Sequence, residues 1–476
     1  GGKALLNSDG SVMYAVSDSG VTILPVGALA QAPRVVAKQE DLVFRGNFCD
    51  RRLATQEIEI VDPGGGKTEF SLTVSARGLS TSPSSGVTPA KIKVTVDPNV
   101  YQNYRGTVEG TISISSRAAV NIPPPIRVLV NNREPDQRGT IVNVPGKLVD
   151  VLADPARNRY YIVRQDTNEV LVYDATSYNH VATFRTGNTP TQVAITYDRR
   201  LLLVGNDDSQ VSYVYDLDLM KKVGMVVFPP GHYPRSIACS SNALLAFSRV
   251  AGPTNTIDRI DLQADRSPEP FSLLPQFRAL ELPNLGIYEN RISPVNAVLA
   301  ASPSGTKIFI VVQDGRVMLY DAISDSFIAS RKDFTKLSGA YAALADDRYV
   351  VDNNLLNASL VRVQEFEKDT GQSSGFAMID QYGLRTTALS ASNPGTVQKV
   401  ELGKAAAIRP TRMIEAPLLV PSTTVTEPGE CQDVFGQVLC KPPATNVITG
   451  FPHFTRTLVP LPNRTAIISL TTSGYV

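Results

Sequence analysis

Tyr161-Ile162-Val163-Arg164-Gln165-Asp166-Thr167-Asn168-Glu169-Val170-Leu171-Val172-Tyr173-Asp174 contains two runs of β-formers around a polar turn, the second ending in aspartate. That ending recurs at Tyr215-Asp216, Ile260-Asp261, Tyr320-Asp321 and Ile379-Asp380, at intervals of roughly 40 to 60 residues. A strand-rich unit repeated at such a period predicts a β-propeller, because a single sheet leaves both faces bare until neighbours stack around a ring. A second marker runs in phase with the first. Pro190, Pro234 and Pro294 each precede a β-rich segment, and proline, which lacks a ladder donor, suits the start of a strand rather than its middle.

Working outward, residues 133–476 read as the propeller. Its later rhythm is looser, with a strand at Gly395 to Leu402, a Pro/Thr-rich excursion from Pro421 to Thr445, and a last pair of strands at Thr455 to Leu461 and Thr465 to Leu470. A blade of about 48 residues gives about seven blades, with six or eight left open. Residues 33–132 have another texture. Glu57 to Val61, Phe70 to Val74, Ile92 to Val96, Thr111 to Ile114 and Ile126 to Val130 alternate apolar and polar residues, which predicts an antiparallel immunoglobulin-like β-sandwich. The fold class is therefore all-β; no segment reads as a long amphipathic helix.

Residues 1–32 read as a partial propeller blade. Asp9 to Val21 aligns without a gap with Asn463 to Tyr475, and both stretches end in Ser-Gly followed by a β-former. Two such pieces are redundant rather than complementary. This favours a tandem array of modules in a longer chain over closure of the ring by the first residues. Gly1-Gly2-Lys3 and Gly474-Tyr475-Val476 likewise read as the ends of an excised segment.

Forty-six basic residues against 45 acidic ones leave a formal net charge of +1, so no long-range field draws a polyanion, and nucleic acid is not expected as a partner. No apolar run reaches the roughly 18 residues of a membrane helix, so membrane insertion is not expected. Cys431 and Cys440 flank eight residues with a glycine near the middle. A hairpin there would bring the sulfurs together as a disulfide, the alternative being two reduced thiols in a surface loop. A disulfide would imply an oxidising compartment. Cys49 and Cys239 fall in different predicted domains and read as buried free thiols.

Chemistry-bearing motifs are sparse. Asp62-Pro63-Gly64-Gly65-Gly66-Lys67-Thr68 lacks the first glycine of a phosphate loop, where Val61 stands, and β-alternation resumes at Phe70; it reads as a hairpin turn. His180, His232 and His453 lie in separate repeats without metal-ligand spacing and read as loop or surface residues. Asn206-Asp207-Asp208, Asp346-Asp347 and Asp352-Asn353-Asn354 offer oxygen ligands for calcium, but sit where turns favour the same residues for local hydrogen bonds. Tyr101 and Tyr104 are candidates for stacking on a sugar ring, set against packing at a strand edge. No catalytic, cofactor-binding or metal-binding set emerges.

Gly78-Leu79-Ser80-Thr81-Ser82-Pro83-Ser84-Ser85-Gly86, then Lys91 to Asp97 and Tyr104 to Ile114, resemble the BACON-type immunoglobulin-like domains of secreted and surface bacterial proteins. Leu79 stands where that family often has tryptophan. The repeats resemble bacterial propellers of the YVTN type, with Tyr161-Ile162-Val163-Arg164 a degenerate form of the tetrad. The resemblance implies a binding or display role outside the bacterial cytoplasm, extracellular or at the cell surface, and brings no catalytic residues. Quinone-dependent and sialidase-type propellers carry repeated tryptophans, and this chain has no tryptophan. The leading expectation is a non-enzymatic binding or scaffold module that meets glycan or protein through loops on one propeller face, the 421–445 excursion foremost. The alternative is a hydrolase or lyase whose acid and base reach the central channel from different blades.

Overall fold

The computed structural model describes residues 3–7, 11–17, 20–27, 32–46, 54–101, 106–132, 139–250, 254–266, 274–282, 295–367, 371–388, 395–402, 407–408, 410–415, 423–427, 431–434, 437–440, 444–448, 453–471 and 476. Among them no α-helix occurs, Pro98–Tyr101 is a short 3-10 turn, and no helix is long and apolar enough to cross a membrane. The chain forms two compact units, Gly1–Gly139 and Thr140–Val476.

In the first unit, β1 (Lys3–Leu6), β2 (Val12–Ser17) and β3 (Gly20–Pro25) make a three-stranded antiparallel sheet. The rest of the unit is two sheets around one core. Val36–Ala37, Ala54–Val61, Ala90–Val96 and Leu79–Ser82 form one; Asp41–Gly46, Ile126–Asn132, Gly106–Ser115, Glu69–Val74 and Ser85–Val87 form the other. Period-two patterning decides which side chains go in. Ile92, Val94 and Val96 are buried while Lys91 and Lys93 stay outside, and Phe70 and Leu72 meet Ile112, Ile114 and Val128 in the shared core. The glycine-rich stretch is a turn, but not a hairpin. Ala54–Val61 pairs in one sheet and Glu69–Val74 in the other, so residues 62–68 cross between layers. Asp62 pins that crossing by accepting hydrogen bonds from Thr68 Oγ1 at 2.6 Å and Gly64 N at 2.8 Å.

The second unit is a propeller-type ring of antiparallel meanders. Its sheets are Leu148–Ala153 to His180–Arg185; Pro190–Ile195 to Lys221–Val227; His232–Cys239 to Gln276–Glu281; Ala297–Ala301 to Ser326–Arg331; Gly339–Ala343 to Arg362–Phe366; and Gln372–Ile379 with Tyr382–Ala388, Thr396–Glu401 and Pro410–Glu415. Leu458–Pro460 and Ile467–Ser469 form a last pair. The first strands touch one another in this order, and the last pair returns to Leu148–Ala153, closing the circle. Closure also runs along the backbone. Val142 and Val476 exchange N–H···O bonds of 2.8 Å each, so the start of this unit is tied to Val476 through the main chain. Among the described residues β1, β2 and β3 pair with one another alone.

Packing between sheets follows the sequence pattern. Tyr161, Val163, Val170 and Val172 meet Val193, Leu202 and Val204 of the next sheet, while Tyr160, Ile162 and Leu171 meet Val459, Ile468 and Leu470 of the last. Alternate residues of one strand thus face opposite neighbours. Burying a Leu, Ile or Val stabilises by about 1.5–3 kcal/mol, and a sheet with two apolar faces needs both neighbours. Outermost strands of the second and third sheets also join, Met225–Val227 pairing in parallel with Gln276–Arg278, so the two meanders form one eight-stranded sheet.

One repeat marker is out of phase. Ile379 ends the first strand of its sheet, not the third, and Asp380 lies in the following turn. In the fifth sheet the third strand, Asn354–Leu356, is followed by Asn357, whose Oδ1 accepts from Ser359 N and Val361 N at 3.0 Å each. Asparagine serves there where aspartate serves elsewhere. Pro190 opens its strand, and Pro234 lies within His232–Cys239 at a bulge; Pro294 lies outside the described residues.

Candidate functional site: the channel and its mouth

A ring of first strands leaves inward-facing amides without a sheet partner, and buried amides need acceptors. Side chains of the preceding sheet supply them. Asp150 Oδ2 accepts from Val193 N at 2.9 Å, Gln192 Oε1 from Ile237 N at 2.8 Å, and Ser236 Oγ from Leu299 N at 2.9 Å. Gln192 also donates across the ring to Tyr341 OH at 2.6 Å. Asp150, Gln192, Ser236 and Tyr341 are all buried, so polar side chains fill this part of the channel.

One carboxylate stands in that network, and it is engaged. Arg456 Nε donates to Asp150 Oδ1 at 2.7 Å, and Arg456 Nη2 donates to Asp150 Oδ2 and, at 2.7 Å, to Val193 O. Burial pushes the Asp150 carboxyl up against the pull of Arg456. Burial opposes the charge on Arg456, yet Asp150 holds the guanidinium above its ordinary range. Acid–base catalysis needs a group able to reach a substrate proton; Asp150 instead joins the first sheet to the last.

The mouth is different. In a meander, the approach to the first strand and the turn between the second and third lie at the same end. Asp207 and Asp208, from such a turn, are held by Arg249, with Nε–Oδ1 2.9 Å and Nη2–Oδ1 3.0 Å. Arg235 lies 3.5 Å from Asp207 Oδ2 and donates to Asn296 Oδ1. Asn296 Nδ2 lies 3.1 Å from His453 Nδ1. Burial pushes His453 down, and Arg235, Lys147 and Lys336 add to this against the opposing Asp207. Asn296 Nδ2 can only donate, so His453 Nδ1 accepts and the ring is the neutral imidazole, the form that the downward shift favours. Three cations, Arg235, Lys147 and Lys336, act on this one point, and Lys147 and Lys336 are exposed.

His453 closes the connection that carries the 421–445 excursion. Thr423–Glu427 pairs with Ala444–Ile448, and Cys431–Val434 with Gln437–Cys440. The two ladders share one register, since four steps beyond Glu427↔Ala444 lead to Cys431↔Cys440. The described residues of the excursion form two short antiparallel pairs in one register.

No family model matches the chain, and no curated protein matches it. Among solved structures, the chain is similar to one in the crystal structure of the mitotic checkpoint complex, at 12% identity and TM-score 0.46, covering 72% of this chain and 93% of that one. It is similar to the Cps50 (Swd1) β-propeller domain of Myceliophteria thermophila, at 14% identity and TM-score 0.43, covering 60% and 91%. A third similarity is to the hydrazine synthase of Kuenenia stuttgartiensis, at 15% and 0.40, covering 56% and 79%.

The structure separates the other candidates. His232 is not a surface residue: it is buried, with Nδ1 3.0 Å from both oxygens of buried Asp258, whose carboxyl burial pushes up. His180 is exposed and edges onto Tyr173. Asn206 is buried and donates to Val204 O and Val211 O, Asp346 pairs with Arg348, Asn353 accepts from Ser373 N and Arg385, and Asn354 donates to Val351 O. Asp347 and Asp352 have left-handed backbone, φ 56° and 53°, as turns require. No group of three or more His, Cys, Asp or Glu able to hold a metal occurs among the described residues. Tyr101 is buried with its OH donating to Arg77 O at 2.6 Å, which leaves no ring face for a sugar; Tyr104 and Cys49 lie outside the described residues. Cys239 is a free thiol that burial pushes up to about 12.

Sequence reasoning missed the channel network and the mouth. A signal existed: Asp150, Gln192 and Ser236 each precede an apolar residue at the same phase of successive first strands, Gln192 and Ser236 lying 44 residues apart.

Proposed function

We propose that the chain is a non-enzymatic binding or scaffold module, a seven-bladed propeller preceded by an immunoglobulin-like sandwich, that holds a protein partner at the mouth of its channel. The observation that carries this reading is the contrast between interior and mouth. Inside, the polar groups that converge are buried and satisfied by one another; at the mouth, Lys147 and Lys336 are exposed beside Arg235, Asn296 and neutral His453. Exposed cations beside a fixed amide and imidazole suit acidic side chains of a protein segment, and a rigid ring keeps such groups in register. The resemblance to BACON and YVTN modules and the opposed pair Cys431 and Cys440 support a place outside the bacterial cytoplasm.

The test is display of the whole chain on a peptide array and a glycan array. Binding to acidic peptides is expected, weakened at least about tenfold, or about 1.4 kcal/mol, by Lys147→Glu or Lys336→Glu. Glycan binding with no peptide binding, or peptide binding indifferent to both reversals, overturns the reading.

A further inference from the structure

The hairpin β1–β2 repeats the register of the last strand pair of the ring. In the gapless alignment that pairs Asp9 with Asn463, β1–β2 has the pairs Ala4↔Ala15, Leu5↔Tyr14 and Leu6↔Met13, and the last sheet has Leu458↔Ser469, Val459↔Ile468 and Pro460↔Ile467 at the same positions. The turn matches too: Asn7 N donates to Val12 O at 2.9 Å, and its counterpart Leu461 N to Ala466 O at 3.0 Å. Two segments sharing register and turn have the same architectural part to play.

What differs is their cover. In the ring, Val459 and Ile468 are 8% and 5% exposed, packed with Val144, Leu148, Val151 and Tyr160 of the first sheet. Their counterparts Leu5 and Tyr14 are 70% and 40% exposed, and Ile23, paired with Tyr14 on β3, is 63% exposed. Val476 exchanges main-chain bonds with Val142; its counterpart Thr22 lies on β3, at the edge of a three-stranded sheet. The ring thus shows what completes such a unit: main-chain bonding at the position of Thr22, and an apolar sheet face over the first two strands.

We propose that β1–β3 is the opening three-stranded part of a closing blade belonging to a second propeller module, distinct from residues 140–476. That module supplies the fourth strand along β3 and lays its first sheet over Leu5, Tyr14 and Ile23. The inference stands apart from the binding role of the channel mouth, since it rests on pairing and burial alone.

The experiment exchanges counterparts within the whole chain, replacing Leu458–Val476 by a copy of the 4–22 segment while keeping Arg456 and Thr457. The hybrid is expected to unfold cooperatively within about 10 °C of the parent. Leu5→Asp placed in the transplanted copy should lower the propeller Tm as Val459→Asp does in the parent, and be silent in the unaltered chain. If the full exchange does not fold, exchange of Ala466–Thr471 alone for a copy of 12–17 is expected to be tolerated. Failure of both exchanges, or a folded hybrid indifferent to aspartate at the Leu5 position, overturns the proposal. Sedimentation of the unaltered chain completes the test: a monomer is expected, and a dimer lost on Leu5→Asp assigns the face to a second copy and overturns it.

Discussion

At the scale of the residue, aspartates at the ends of third strands act through local geometry. Asp174 Oδ1 accepts from Thr176 N and Ser177 N, Asp216 Oδ1 from Asp218 N and Leu219 N, and Asp321 Oδ2 from Ser324 N. Lys307 donates to Asp321 as well and, with Ser324, holds its carboxyl down to about 2. A carboxyl depressed in the folded state contributes stability above its unfolded value, here 3.8, and loses it as pH falls through the folded one. Asp321→Asn should therefore lower stability by about 1 kcal/mol at pH 5 to 7 after solvent screening. Melting curves of the two proteins should draw together from about pH 4 down to about pH 2; a gap that stays constant would sink the assignment. These aspartates were legible because turn chemistry is written within four residues. The same locality explains the slip at Asp380, since Asn357 caps equally well and a search for aspartate passes over it.

At the scale of the element, what holds the ring closed joins residues far apart in the chain. Asp150 and Arg456, 306 positions apart, have side chains 2% and 20% exposed. Removing one partner of a buried pair costs about 3–5 kcal/mol because the other charge is left uncompensated. Asp150→Ala should thus lose about that much in urea unfolding. Asp150→Leu with Arg456→Met should recover only part of it, because Val193 N–H still lacks its acceptor. A loss below about 1 kcal/mol for the single variant would show the pair to be dispensable. The 421–445 excursion offers a second measurement. Cys431 and Cys440 stand opposite each other in register, and a bridge there should appear as a mass two hydrogens lighter under non-reducing conditions; two alkylatable thiols in protein from an oxidising compartment would exclude it. Strand identities were legible from period-two alternation. The site was not, because Asp150, Gln192 and Arg456 acquire partners only when separate sheets meet.

At the scale of the whole molecule, β-rich units repeated in a row say that a circle forms, but not how evenly it is fastened. Neighbouring sheets meet through side chains and the inward amides of their first strands, and the fifth is also extended at its outer edge by Ala407–Ile408, which leads into Pro410–Glu415 of the sixth. The second and third are also sewn together at the rim, where Met225–Val227 lies along Gln276–Arg278 and Met225 N donates to Pro275 O at 3.1 Å. Main-chain bonds at the greatest radius resist a shearing twist far better than apolar contact, which is non-directional. The wheel is therefore stiffened unevenly around its rim. Any breathing that widens the hub must be taken up at the junctions without such rim bonds, away from the pair that carries Arg235 and Asp207.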